Sequence, residues 1–349
     1  MTYRGALIGC GFFARNHMHG WADAEGAEIV AVCDLDRAKS EAFARDFQVP
    51  GIFTDAEAML REVRPDFVDV ATTVESHRPL VELALSHGAL TVCQKPFAET
   101  YADGFAMVEA AEHARRPLIV HENFRWQKAF RLLRAELDSG TVGRPHFARI
   151  AFRHGYPDLY RNQPYLAEVE DFAIMDVGLH VFDVARFLLG DVERLSCETQ
   201  RLNPKVRGED AFTALLRHEG GAVASVECSF HSIVEPDPFP QTLVWLEGDR
   251  GTLELGFDYR LRVHGQGGLR EIDGEPAVPE WGARPWHAVQ DSVAAFEAHV
   301  VDVLAGRAEP QPSGRHNLDT LVLALAAYRA AARHETVDLA AFVADGCRR

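Results

Sequence analysis

The chain has no paired cysteines, no long apolar run and no surplus of basic residues. Its six cysteines, Cys10, Cys33, Cys93, Cys197, Cys228 and Cys347, form no C-x-x-C pair and share no regular spacing. That excludes a disulfide framework and a cysteine-based zinc site, and reads as reduced, buried thiols. The most apolar stretch, Leu318 to Ala332, is broken by Asp319, Tyr328 and Arg329 and is too short to span a bilayer. Strand-like sequence begins by Tyr3, leaving no room for a signal peptide, so the expected compartment is the cytoplasm. Lys and Arg number 36 against 52 Asp and Glu, a formal net charge of −16. Such a surface repels nucleic acid and anionic membrane, which need clustered cations. A small substrate of low charge suits it better.

What is present is an ordinary globular composition, 47% hydrophobic and 25% charged, over 349 residues. That length favours two domains, each with its own core. The first third alternates short apolar runs (Tyr3–Gly9, Glu28–Cys33, Phe67–Ala71, Ala89–Cys93 and Pro117–His121) with helical spacing (Asn16–Ala24, Arg37–Phe47, Pro79–Ser86, Ala102–Ala114). Alternation of this kind predicts a doubly wound parallel sheet, an α/β Rossmann domain over residues 1–122. After a helix near Trp126–Asp138 the texture turns to long strand-like segments between Val142 and His264, divided by turn signals such as Glu219-Gly220-Gly221. One helix, Asp176–Leu189, interrupts them, Gly274–Pro285 is irregular, and helices near Val289–Ala305 and Leu318–Arg333 follow. Residues 123–349 therefore read as an α+β domain on an open, mainly antiparallel sheet, whose C-terminal helix can pack back on the first domain.

Gly9-Cys10-Gly11-Phe12-Phe13-Ala14 fits G-x-G-x-x-G/A between the first strand and first helix. Gly9 permits the tight turn, Gly11 lets the backbone approach a pyrophosphate, and Ala14 allows close helix packing. Asp34 ends the second strand about twenty residues further on, where a carboxylate accepts hydrogen bonds from the ribose hydroxyls and repels a 2′-phosphate. The expected cofactor is NAD; Arg37 nearby is the one feature favouring NADP.

Three further stretches accompany the glycine motif in order. They are Ala71-Thr72-Thr73 through His77 with Ala84-Leu85 and Gly88; Cys93-Gln94-Lys95-Pro96; and Asp176-Val177-Gly178-Leu179-His180 followed by Asp183. Together they resemble the Gfo/Idh/MocA oxidoreductases over nearly the whole chain, with Gln94 in place of the glutamate of that family's E-K-P motif. The resemblance implies Phe12, Phe13, Arg37, Thr72, His77 and Lys95 beside the cofactor, Lys95, Asp176 and His180 as the catalytic set, and a cis peptide before Pro96. Gln94, the run His121-Glu122-Asn123-Phe124-Arg125-Trp126 and the segment Arg284-Pro285-Trp286-His287 are similar to a pentose-oxidising branch of the family, which implies D-apiose or a related pentose as substrate.

Position alone makes Lys95, at the carboxyl end of a strand, equally a solvated lysine or a cation where an alkoxide develops; the resemblance selects the second. Asp176 and His180 lie four apart on one helical face, a spacing more common for surface contacts than for a dyad, but Gly178 between them points to close packing. Histidine can accept the hydroxyl proton while aspartate orients it. Asn123 and Arg125 are candidate hydroxyl contacts, with Lys95, Asp176, His180, Arg153 and Tyr165. No metal is expected: His17 and His19 fall on different helical faces and no third ligand at regular spacing accompanies them.

The function expected is NAD-dependent oxidation of a hydroxyl or anomeric carbon of a small polyhydroxylated substrate. An NAD-dependent glycosidase and a non-catalytic dinucleotide-binding sensor or repressor share the fold as alternatives. An open sheet with one uncovered apolar face also predicts a homodimer or homotetramer.

Overall fold

The computed structural model describes residues 2–155, 163–235, 237 and 239–348. They divide into two compact units: Met1–Asn123 with Ser292–Leu321, and Phe124–Asp291 with Val322–Arg349. The segment 292–321 thus belongs with the first unit.

In the first unit six strands, β1 (Tyr3–Ile8), β2 (Ala27–Cys33), β3 (Gly51–Phe53), β4 (Phe67–Val70), β5 (Leu90–Gln94) and β6 (Leu118–His121), form one sheet in the order β3-β2-β1-β4-β5-β6. Every neighbouring pair is parallel. Strands β4, β5 and β6 are buried at every residue, as a sheet covered on both faces requires. Three of its helices start where a side chain accepts a free N–H group: Asp36 for Arg37–Phe47, Asp55 for Ala56–Val63 and Thr100 for Tyr101–Ala114. Strand order reverses between β1 and β4, the place where such sheets bind ligands.

The second unit is built on nine strands: β7 (Pro145–Arg153), β8 (Val192–Gln200), β9 (Ala211–His218), β10 (Val223–Ser229), β11 (Thr242–Gly248), β12 (Thr252–Leu255), β13 (Arg260–Gly265), β14 (Gly268–Asp273) and β15 (Val337–Asp338). Their order is β14-β13-β12-β11-β7-β10-β9-β8-β15. All pairs are antiparallel except β7 with β10. The helix Leu179–Leu189 buries every residue but Phe187 and packs on β7 and β10. On the opposite sheet face the register aligns Ser196, Leu215, Ser225, Arg149 and Trp245 in one row, with Leu215 and Trp245 exposed. No helix among the described residues is long and apolar enough to cross a membrane.

Candidate functional site

The glycine turn has the geometry that its sequence demands. Gly9 has φ +99° and a Cβ there would lie 2.6 Å from the Ala71 carbonyl oxygen, whereas Gly11 faces open space with nothing within 4 Å. The helix Ala14–Asp23 that follows has no side-chain cap and no acidic residue in its first turn. Its N-terminal dipole is left uncompensated by side chains, behind a loop whose backbone an anion can approach. Asp34 leaves β2 with its Oδ2 accepting from the Cys10 N–H at 2.8 Å and Oδ1 from the Asp36 N–H at 2.9 Å. The carboxylate is therefore anchored to the loop, with further lone pairs to offer ribose hydroxyls. Burial and Asp34 push the Cys10 thiol up to about 12, so this loop cysteine stays protonated and inert. These residues suit a dinucleotide. Asp34→Ala should weaken NAD binding by about 1–3 kcal/mol, the cost of losing hydrogen bonds to a charged group, and narrow the preference for NAD over NADP. Calorimetric titration with both nucleotides checks this, and a wild-type preference for NADP would contradict it.

Of the other residues expected at the cofactor, Phe12 is exposed and Phe13 turns its edge to His17. Arg37 is exposed and paired with Glu41 along its helix. Thr72 accepts the Ser76 hydroxyl. His77 is buried between the Thr72 carbonyl at 3.1 Å and the Phe97 carbonyl at 3.3 Å. It ties the loop after β4 to the segment after β5, and burial pushes its pKa down.

Lys95 follows β5, and its peptide bond to Pro96 is cis. Beneath it lies a buried polar cluster that spacing along the chain did not reveal. His17 bonds Asp69 at 2.8 Å and Gln94 at 2.9 Å, Trp21 donates to Asp69, and the His17 ring stacks on His121 at 3.9 Å with 20° between planes. Glu297 adds a fully buried carboxylate 3.4 Å from His121 and 3.8 Å from His17. The donor atoms of His17, His121 and Glu297 fall within 4.8 Å of one another. Nearly parallel stacked imidazoles cannot aim their in-plane lone pairs at one ion, and both His17 nitrogens are engaged, so the arrangement suits a packed polar cluster better than a metal cage.

Neither Glu297 oxygen has a hydrogen-bond partner, and burial, reinforced by Asp69, raises its pKa well above the usual range. Between its unfolded and folded pKa values the folded chain holds the extra proton, so stability falls as pH rises through that interval. Glu297→Gln should therefore raise the melting temperature more at pH 8 than at pH 5.5. Calorimetry at the two pH values checks this, and an unchanged or lower midpoint at pH 8 would contradict it.

In the second unit the expected helix begins with a π-helical turn, Ile174–Gly178, before Leu179–Leu189. Such turns re-aim side chains and recur at functional sites. Glu209 holds its start: the carboxylate accepts from the Ile174 N–H at 2.9 Å and the Tyr328 hydroxyl at 2.8 Å. Burial pushes the Glu209 carboxyl up and those two bonds oppose the shift. A Cβ at Gly178 would crowd the Phe212 ring at 3.1 Å and the Ala173 carbonyl oxygen at 3.2 Å. Asp176 on this turn is half-buried, and His180, buried, stacks flat on Phe124 at 3.9 Å with 4° between planes. Phe124 opens the short turn Phe124–Trp126, so the motif residues and the junction run meet through this pair.

The remaining expectations divide. Arg125 is 2% exposed, its guanidinium paired through two bonds with Asp183, the Nε–Oδ2 bond being 2.7 Å. That pairing anchors the turn Phe124–Trp126 to the helix Leu179–Leu189. Asn123 is buried and donates to the Ser292 hydroxyl at 2.8 Å. Arg153 pairs with Glu227, which Arg149 also binds. Tyr165 is exposed and donates to Gln163. In the Arg284–His287 segment, Arg284 pairs with Glu275 and Trp286 packs against Phe239.

With this geometry in place, comparison with known proteins agrees with both halves of the chain. Residues 3–122 match the oxidoreductase family with an NAD-binding Rossmann fold, and residues 130–268 match the GFO/IDH/MocA C-terminal domain. A D-apiose dehydrogenase of Paraburkholderia graminis is 48% identical, covering 98% of this chain and 91% of that protein. One of Rhizobium rhizogenes is 46% identical, covering 97% and 98% respectively. A crystal structure of an oxidoreductase from Agrobacterium radiobacter, in complex with NAD+, L-tartaric acid and magnesium, superposes with a TM-score of 0.96 at 46% identity, covering 98% of this chain and 100% of that one.

Proposed function

Because the chain belongs to the GFO/IDH/MocA family of NAD-binding oxidoreductases, we propose that it oxidises D-apiose, or a closely related pentose, at a hydroxyl-bearing or anomeric carbon. The observation that carries this reading is the 48% and 46% identity, over nearly full length, to two D-apiose dehydrogenases. NAD, when bound, supplies the acceptor for the hydride that leaves the sugar carbon. Lys95 places its ammonium where negative charge develops on the substrate oxygen. His180, held flat against Phe124, accepts the hydroxyl proton, and Asp176 orients it or passes the proton on. Asn123 is the candidate hydroxyl contact at the end of the first unit, whereas Arg125 acts through Asp183. A screen of NADH formation across aldoses, inositols and sugar acids tests the proposal. D-apiose should give the highest kcat/KM, and a clear preference for an inositol or a hexose would overturn it.

The protein is further proposed to act in the cytoplasm, its six cysteines all being free and buried, and to assemble as a homodimer or homotetramer through the sheet face that exposes Leu215 and Trp245. Light scattering should give a mass at least twice 38.7 kDa at micromolar concentration. A Leu215→Glu, Trp245→Glu variant should shift toward monomer, and a wild-type monomer would contradict the assignment.

A further inference from the structure

We propose that the buried chain Trp21–Asp69–His17–Gln94 is the positioning device for Lys95, and that glutamine at position 94 is matched to a His17 protonated on Nδ1 alone. The inference rests on the reading of Lys95 as the cation of the reacting site.

Two groups with no choice of role fix every hydrogen in this chain. The Lys95 backbone N–H can only donate, so its partner at 2.6 Å must be the Gln94 oxygen Oε1. The Gln94 amide nitrogen then faces His17 Nε2 at 2.9 Å and can only donate to it. His17 Nε2 therefore accepts, and the ring carries its proton on Nδ1, which donates to Asp69 Oδ2 at 2.8 Å. At the far end the Trp21 indole N–H, also a donor only, reaches the same Asp69 oxygen at 2.8 Å.

The sequence places these groups by simple means. His17 and Trp21 are four apart on one face of the helix Ala14–Asp23, Asp69 lies within β4, and Gln94 ends β5. His17 and Asp69 are fully buried and Gln94 is 7% exposed. In such a medium each bond is stronger than in water and each broken one leaves an unsatisfied group. The chain thus ties the backbone of Lys95 to the packed centre of its unit. Phe13 of the glycine turn sets its edge against His17, His121 stacks on the ring's face, and Glu297 lies beside its Nδ1.

Both polar atoms of Gln94 are thereby committed to the Lys95 amide and to His17. The amide in place of the family's carboxylate therefore acts first on His17, and not directly on the lysine's charge. An ionised glutamate at 94 could still accept from Lys95 but could not donate to His17. Retaining that contact would demand one more proton, on the carboxyl or on the ring, beside Asp69, Glu297 and His121.

The test is a double-mutant cycle on the full-length protein with NAD and substrate. His17→Phe keeps the ring volume and its aromatic neighbours while removing both bonds, and Gln94→Leu breaks the chain from the other end. Each should lower kcat by about 10–100-fold, as expected when a reacting group is misplaced, with NAD affinity changed less than about twofold. The double variant should be no worse than the weaker single, since both break one chain. Unchanged kcat in either single variant, or fully additive losses, would overturn the proposal. Folding of the variants does not limit the test, because ¹⁵N-histidine NMR of the wild type reads the tautomer directly. His17 should show the Nδ1–H form. A wild-type Nε2–H tautomer or imidazolium would overturn the assignment. Normal turnover in Lys95→Ala overturns the underlying reading of Lys95, whereas an inactive Lys95→Ala beside a fully active His17→Phe overturns the positioning chain alone.

Discussion

Lys95→Ala is expected to lose at least about 10²-fold in kcat while binding NAD with near-normal affinity. Oxidation of an alcohol removes a proton from oxygen as hydride leaves its carbon, so negative charge builds on that oxygen unless a cation and a base attend it. Lys95 stands at the carboxyl end of β5, and the residues that shape the nucleotide turn, Gly9, Gly11 and Asp34, are elsewhere in the chain. The loss should therefore fall on turnover and leave the cofactor titration almost unchanged. His180→Ala should show the same split and a loss of similar size, because it removes the proposed proton acceptor. Asp176→Ala should be milder if the carboxylate only orients His180. Calorimetric NAD titration beside steady-state kinetics checks all three. Near-normal turnover in Lys95→Ala would contradict the mechanism, and lost NAD binding would assign Lys95 to the cofactor.

The second large effect concerns stability. Asp183→Ala should cost about 3–5 kcal/mol, because it leaves the Arg125 guanidinium charged and buried without its carboxylate. The pair fastens the turn Phe124–Trp126 to the helix Leu179–Leu189, and the guanidinium also lies over the Phe187 ring at 5.3 Å. Phe124 belongs to the same turn and supports His180, so the variant should also lose activity at temperatures where it remains folded. Replacing both partners, Arg125→Met with Asp183→Leu, should recover much of the stability, since no buried charge is then unpaired. Scanning calorimetry of the three proteins checks this. A single variant with an unchanged midpoint would show that the pair contributes little.

The parallel sheet and glycine turn were legible because their signals are local: apolar runs alternating with helical spacing, and a motif whose glycine has the positive φ it implies. Strand β3 was not, because three residues are too few for a period and its place is set by pairing with Ala31–Cys33. Strand β14 escaped for another reason. Five of its six residues are exposed, so no alternation marks it. The pairing of Arg125 was not legible because its partner Asp183 lies 58 residues on. His17 was weighed only against His19. The groups that engage it, Asp69, Gln94, His121 and Glu297, come from four separate elements that only the fold assembles. Glu209 carried no motif at all, and its role under the π-helical turn follows solely from backbone N–H groups that need an acceptor.

The most direct test of the account supplies the purified protein with NAD and D-apiose whose carbon-bound hydrogens are replaced by deuterium, and follows the nucleotide by absorbance and mass. Deuterium-bearing NADH should accumulate in step with oxidised sugar, and Lys95→Ala should slow it by at least about 10²-fold. No net NADH from the free sugar, with release of an aglycone from a glycoside instead, would contradict the account.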